Sequence, residues 1–278
     1  MICFMFPGQP LANDATLPGD ADFGEIAVLA RERTGLDLSS FTWSRETHTE
    51  QVALQVYGVA MSLYRHRRLL AEGVRPAVIA EHSMGIYAAL AACGSVSERD
   101  TLEMAFRAGV CMEQRFQGQE YALGCVTGLT EQPLNAICAD NGVYPANVNT
   151  SRHMLLAGSR PGIEAACGEA MQAGAFSAGV FPCDAPLHTP LMEEIGSDLA
   201  EIFDDYGYRE PAIPLVEHIS QTTLTAPRIP LFLVEELCRP VYWERTYRAL
   251  RSRGATLFRE VGAGKALTKL NRWIDSEP

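Results

Sequence analysis

Ser83 lies in the string Ala80-Glu81-His82-Ser83-Met84-Gly85. An apolar run ending in Val78-Ile79-Ala80 precedes it, and a helix-forming run, Tyr87-Ala88-Ala89-Leu90-Ala91-Ala92, follows. A buried strand, a serine and a helix in that order form the layout of a nucleophile elbow, where a tight turn lifts the hydroxyl clear of the sheet. Amides at the start of the helix then face any oxyanion that develops there. A strand feeding directly into a helix is the unit of an α/β fold. The usual Gly-x-Ser-x-Gly spacing is broken, because Glu81 stands where the first glycine belongs. A serine before a helix also serves as an N-cap, so this string alone leaves nucleophile and cap both open.

Length and composition set the scale. At 278 residues and 47% apolar, the chain has room for one large α/β domain, or for such a domain carrying a smaller insert. No apolar run approaches the roughly 20 residues that span a bilayer. Met1-Ile2-Cys3-Phe4-Met5-Phe6 lacks a basic leader and runs into Pro7-Gly8, so it reads as a first strand rather than a signal peptide. The cysteines show no CxxC pair and no Cys/His spacing suited to zinc, and Cys93 and Cys111 sit in apolar helical runs as buried thiols. The expectation is a protein of the reducing cytoplasm with no membrane partner. A net charge of −11 argues against nucleic acid. Against that field, Arg245, Arg248, Arg251, Arg253 and Lys265 make the last forty residues locally basic, as a solvated helix face or as a docking patch for phosphates or an acidic protein.

Hydrophobic periodicity predicts helices near Phe23 to Arg33, from Val52 to Leu70 and from Ser97 to Gln114, the last capped by Ser97 with Asp100 as its capping-box partner. From about Tyr121 the texture changes to strand, helix, strand, strand, helix, strand: Ala122–Val126, Glu131–Asp140, Tyr144–Val148, Met154–Ala157, Pro161–Ala173 and Ser177–Phe181. That order is the ferredoxin-like arrangement. Beyond it come helices over Met192–Phe203, Leu231–Cys238 and Trp243–Ser252, strands over Ile213–Ile219 and Leu257–Val261, and a last helix after Gly262-Ala263-Gly264. The expected architecture is α/β: a large α/β-hydrolase-like domain with a parallel sheet (1–118 and 187–278), and a small inserted ferredoxin-like α+β domain over 119–186.

Several separated segments resemble the malonyl-CoA:acyl carrier protein transacylase family, in order and along nearly the whole chain. Phe6-Pro7-Gly8-Gln9 is similar to its N-terminal turn, Glu81-His82-Ser83-Met84-Gly85 to its Gly-His-Ser-x-Gly elbow, and Pro186-Leu187-His188-Thr189-Pro190 to the segment of its catalytic histidine. Ala146-Asn147-Val148-Asn149, Pro240-Val241-Tyr242-Trp243 and Glu260-Val261-Gly262-Ala263-Gly264-Lys265 resemble its later signatures. The resemblance implies that Ser83 attacks an acyl thioester with His188 as base, and that the backbone amides of Gln9 and Met84 form the oxyanion hole. It further implies that the backbone carbonyl of Tyr242 orients the histidine, and that Ala108, Ile86, His82 and Asn149 border the acyl group. His82, beside the serine on the turn, reads as a packed residue orienting the loop, and Asn149 reads equally as a substrate contact or a turn stabiliser. His48, His66, His153 and His218 read as surface or core histidines, and Asp184 as a loop cap. Acyl-CoA and an acyl carrier protein are the implied partners. Coenzyme A enters as the thioester substrate, and no metal or other cofactor is implied.

The pattern breaks where the acyl group would lie. Malonyl-using members of that family carry an arginine before the glycine of Arg-Gly-x-x-Met, and here the string is Ala108-Gly109-Val110-Cys111-Met112. Arg107 is adjacent, but one helical step turns a side chain by about 100°. Ile86 stands where the family has glutamate. Stranding a carboxylate without its bidentate partner is costly, so the expected acyl group is uncharged. Three functions follow from these residues: transfer of such an acyl group to a carrier protein, hydrolysis of acyl groups from carrier proteins, or a non-catalytic carrier-protein-binding subunit.

Overall fold

The computed structural model describes residues 1–9, 17–41 and 51–277. In chain order its elements are β1 (Ile2–Phe6), α1 (Ala21–Thr34), α2 (Gln51–Ala71), β2 (Val78–Glu81), α3 (Gly85–Ala92) and α4 (Glu98–Phe116). Then come β3 (Tyr121–Thr127), α5 (Glu131–Asp140), β4 (Tyr144–Thr150), β5 (His153–Ser159), α6 (Arg160–Gln172) and β6 (Ser177–Cys183). The last third holds α7 (Gly196–Asp204), β7 (Leu215–Val216), α8 (Ile229–Cys238), β8 (Val241–Tyr242), α9 (Trp243–Ser252), β9 (Leu257–Glu260) and α10 (Ala266–Ser276). Short 3-10 turns lie between some of them. Residues 10–16 and 42–50 lie outside the described residues.

The first sheet is parallel, in the order β7-β2-β1-β9. Both its faces are covered, and the strands show why. Phe4, Phe6 and Ile79 pack into a core built with α2, α3 and α4, while Cys3, Met5, Val78 and Ala80 meet Trp243, Tyr247, Leu250, Leu267 and Ile274 from α9 and α10. Strands apolar on both faces are what a buried parallel sheet requires. Ser97 caps α4 as its sequence predicts: its hydroxyl accepts from the Asp100 amide at 3.2 Å and donates to the Asp100 carboxylate at 2.6 Å.

The second sheet runs β6-β3-β5-β4-β8. Its first four strands are mutually antiparallel and carry α5 and α6 over a separate core of Val126, Leu134, Met154, Leu156, Ile163 and Ala166. That is the ferredoxin-like strand order. The fifth strand comes from outside the 119–186 segment: β8 adds in parallel to β4, pairing Asn147 with Val241 and Val148 with Tyr242.

One predicted strand is cut short. Of Ile213–Ile219, only Leu215–Val216 pairs with β2. The cause is Glu217, whose carboxylate accepts from the amides of Ile219 (2.6 Å), Ser220 (3.0 Å) and Thr222 (2.9 Å) and so folds the chain into a turn.

Gly85, the first residue of α3, is packed against the exit of β1. A Cβ placed there would lie 2.1 Å from the Phe6 carbonyl oxygen and 2.8 Å from that of Pro7, and backbone cannot move aside cheaply. Gly24, inside α1, has nothing within 4 Å of the same atom. Urea unfolding should therefore show opposite signs for the same change. Gly85→Ala is expected to cost about 3 kcal/mol or more, and Gly24→Ala to add about 0.5–1 kcal/mol.

Candidate active site

Ser83 sits between β2 and α3 with φ 55°, in the left-handed region that non-glycine residues avoid. The amides of Gly85, Ile86 and Tyr87 donate to the carbonyls of His82 (3.1 Å), Ser83 (2.9 Å) and Met84 (3.3 Å), which winds the turn tightly into α3. The Met84 amide precedes the first of these bonds. The Pro7-Gly8-Gln9 turn leans on the elbow, since a Cβ at Gly8 would lie 3.4 Å from that of Ser83 and 3.0 Å from His82 Nδ1. Gln9 thus leaves β1 beside the serine, and its side-chain amide donates to Gln51.

His188 arrives from 105 residues downstream, also in the left-handed region, with φ 61°. Its Nε2 lies 2.7 Å from Ser83 Oγ. Its Nδ1 lies 2.7 Å from the backbone carbonyl oxygen of Glu236, and its own amide donates to the Leu237 carbonyl at 2.8 Å. A carbonyl only accepts, so Nδ1 carries the proton and Nε2 turns a free lone pair toward the serine hydroxyl. Burial holds the imidazole neutral, bringing it from its usual range down to about 3, with His218 and His82 adding to that shift.

The orienting carbonyl corrects one expectation. It belongs to Glu236, not to Tyr242, whose carbonyl accepts from Thr246 Oγ1 at 2.9 Å and whose amide donates to the His218 carbonyl at 3.3 Å. The physical reason is the end of α8. The last four carbonyls of a helix have no partner within it, and α8 ends at Cys238, leaving those of Glu236 and Leu237 free to hold His188. Pro240, which stops α8 from continuing, is the sequence signal that points to this position.

His82 and Asn149 meet in a second polar chain. His82 Nε2 donates to Asn149 Oδ1 at 3.0 Å, and Asn149 Nδ2 donates to His153 Nδ1 at 3.1 Å. The His82 ring also leans on Trp243 at 5.9 Å. Burial lowers His82 to about 4. Both ends of the Asn149 amide are therefore engaged within the protein, tying the elbow to the second sheet. His153, read from sequence as a bystander, belongs to this chain. His66 lies buried in the first core, and His48 lies outside the described residues.

Ala108 and Ile86 are fully buried. Arg107 turns away from them: its guanidinium donates to Asp205 at 2.7 Å and to Tyr206 Oη at 3.2 Å. A cleft opens between Gln9, Gln55, Gly109, Met112, Ala185 and Leu187, the last two residues lying just before His188 in the chain; Ala108 and Ile86, expected to border the acyl group, are not among its described lining. The charged residues among its described lining, Glu113 and Asp184, are both acidic. On the basic C-terminal segment, Arg248 pairs with Glu244 at 2.7 Å, Arg251 with Asp275 at 3.2 Å, and Arg245 lies 4.0 Å over the Tyr242 ring.

Behind His188 the structure brings together three groups that sequence reasoning scattered. Glu81 is completely buried, and its carboxylate faces the His218 amide (3.0 Å) and His218 Nδ1 (2.8 and 2.9 Å). Burial, with Glu217 nearby, drives the Glu81 carboxyl well above its usual range, and burial lowers His218 to about 4. The Glu236 carboxylate oxygen Oε2 is 3.7 Å from His188 Nδ1. His218 and Glu236 escaped notice because they lie on separate segments that only the folded sheet end brings together.

Comparison with known proteins gives the family. The family described as acyl transferase domain matches residues 23–261. The malonyl CoA-acyl carrier protein transacylase of Bacillus subtilis is 28% identical over 99% of this chain and 90% of its own. The polyketide biosynthesis protein ThaF of Burkholderia thailandensis is 29% identical over 99% of this chain and 24% of its own length. Among solved structures, the malonyl CoA-acyl carrier protein transacylase of Coxiella burnetii superposes with a TM-score of 0.92, at 26% identity over 99% of this chain and 91% of its own.

Asn149→Ala would leave the His82 Nε2 proton and His153 Nδ1 without their buried partner. It is expected to lower unfolding free energy by about 1–3 kcal/mol, measured by urea titration, while the far-ultraviolet circular dichroism spectrum stays unchanged.

Proposed function

Because the chain belongs to the acyl transferase domain family, we propose that it moves an acyl group from coenzyme A to the phosphopantetheine thiol of an acyl carrier protein, through an ester on Ser83. The observation that carries this reading is the 2.7 Å approach of His188 Nε2 to Ser83 Oγ, with the opposite ring nitrogen held at 2.7 Å by a main-chain carbonyl. Ser83 Oγ attacks the thioester carbonyl carbon as its proton passes to His188 Nε2. The tetrahedral oxyanion faces the amides of Met84 and Gln9. As it collapses, the C–S bond breaks and His188 returns the proton to the departing thiolate. The carrier-protein thiol then gives its proton to His188, attacks the ester carbonyl and releases Ser83, which recovers the proton. A buried imidazole that is neutral at rest suits a group that holds the proton only during each transfer.

The acyl group is inferred to be uncharged. Arg107 is engaged by Asp205 and Tyr206, Ala108 and Ile86 present no charge, and the cleft between Gln9 and Leu187 is bordered by Glu113 and Asp184. A substrate carboxylate there lacks a charge-assisted partner worth roughly 1.5–3 kcal/mol, or about 10- to 150-fold in loading. Intact mass spectrometry after brief exposure to equal acetyl-CoA and malonyl-CoA should show the acetyl adduct at least about tenfold in excess, and none in Ser83→Ala. Dominant malonylation would overturn the specificity, and adduct formation in Ser83→Ala would overturn the nucleophile.

His188→Gln is expected to slow acyl loading by about 10²–10⁴-fold. With the loaded wild-type enzyme, adding holo acyl carrier protein should convert the ester to acyl carrier protein faster than water releases free acid. Release at the same rate with and without carrier protein would identify a hydrolase.

A further inference from the structure

The buried cluster behind His188 is built in a way that acyl transfer does not need. His188, His218 and Glu236 each offer one donor atom, and all three atoms lie within 4.8 Å of one another. His218 is 0% exposed and Glu236 is 1% exposed. Yet His218 Nε2 and both carboxylate oxygens of Glu236 have no hydrogen-bond partner among the described residues. Unpaired buried polar atoms cost about 1–3 kcal/mol each, and more when charged, so three of them on two neighbouring side chains call for an occupant.

The chemistry of the set selects that occupant. Glu81 grips His218 Nδ1 with both carboxylate oxygens, one of which already accepts from the His218 amide. A ring proton shared between two carboxylate oxygens leaves Nε2 as a bare lone pair, and a carboxylate behind a histidine is the arrangement that orients a metal-ligating imidazole. Two neutral histidines and one carboxylate, with a fourth position open, form a zinc-type ligand set. Tetrahedral bonds of about 2.0–2.1 Å place neighbouring ligand atoms about 3.4 Å apart, and His188 Nδ1 to Glu236 Oε2 is already 3.7 Å. Among the described residues neither Glu81 nor Glu236 pairs with a lysine or arginine, so no cationic side chain competes with a metal ion for the Glu236 carboxylate.

We propose that His188 Nδ1, His218 Nε2 and the Glu236 carboxylate form a binding site for a zinc-type divalent transition-metal ion, with Glu81 as the orienting carboxylate. Coordination through Nδ1 replaces the bond to the Glu236 carbonyl and leaves the single ring proton of His188 on Nε2, which then has no lone pair for Ser83, so the metal-loaded enzyme is inactive. Any proton on Glu236 is displaced to solvent. This inactivation rests on the Ser83–His188 mechanism proposed above, whereas the binding itself does not.

The test uses the full chain stripped with a chelator. Titration with zinc chloride by calorimetry and with cobalt(II) by visible absorption is expected to show one equivalent bound, with cobalt bands of tetrahedral intensity. His218→Asn and Glu236→Gln should abolish that equivalent, and Glu81→Gln should weaken it roughly 10- to 100-fold. Ser83→Ala should keep it. Zinc should also block labelling of Ser83 by a fluorophosphonate probe, with labelling restored by chelator. Absence of a one-equivalent site, or binding unchanged in all three cluster variants, would overturn the metal site, and Glu81→Gln serves if the other two misfold. Zinc bound at the site with labelling undiminished would overturn the inactivation. Failure of metal-free protein to label would count against the proposed nucleophile while leaving the binding result intact.

Discussion

The close approach of two pieces of backbone governs this protein. β1 and β2 pair in register up to Phe6 and Glu81, and the next residues of both strands must then separate. They do so with almost no space between them, since Gly85 leaves room only for a hydrogen where a Cβ would sit 2.1 Å from the Phe6 carbonyl oxygen. That contact forces the chain to turn within three residues, and the turn places Ser83 at φ 55°. A left-handed serine costs roughly 1–2 kcal/mol in isolation. It persists because the parallel sheet, covered on both faces by helices, over-determines the backbone around it.

His188 is held by the same logic from the other side. It too is left-handed, at φ 61°, and its main chain and side chain both donate to the free carbonyls at the end of α8. A helix C-terminus carries partial negative charge, so α8 fixes the proton on Nδ1 and steadies the ring when Nε2 becomes protonated. Two strained residues, anchored on two different elements, meet across a single 2.7 Å gap. Neither can relax its backbone without withdrawing its reactive atom, and so the strain and the alignment are one property of the fold.

Much of this was legible in the residues. The elbow string, the alternation of the four antiparallel strands and the Ser97 cap each depend on local pattern, and local pattern is what a sequence displays. Contacts between distant segments were not legible. Tyr242 was the natural choice for the orienting carbonyl because a recognisable signature surrounds it, yet the carbonyl belongs to Glu236, in the last turn of a helix whose end decides the matter. The strand expected over Ile213–Ile219 read as continuous from its apolar residues, but Glu217 diverts the backbone by collecting three amides. In both cases a polar group competing for main-chain partners outweighed propensity and pattern.

Glu81 shows how far such competition reaches. An elbow with glycine at this position asks nothing of its surroundings, whereas a glutamate buries a carboxylate that must be satisfied or stay protonated. The structure meets part of that need with the amide and ring of His218. His218 and Glu236 then each bring a donor atom within 4.8 Å of the other, and Glu236 lies 3.7 Å from the ring of His188. A single departure from the elbow pattern is thus linked, through two further buried side chains, to the back of the residue that faces Ser83. Removing His218 leaves the Glu81 carboxyl without its buried partner, at several kcal/mol. The electrostatic setting of His188 is thus determined by its burial and by His218, which Glu81 on β2 holds in place, as well as by the helix end that orients its ring.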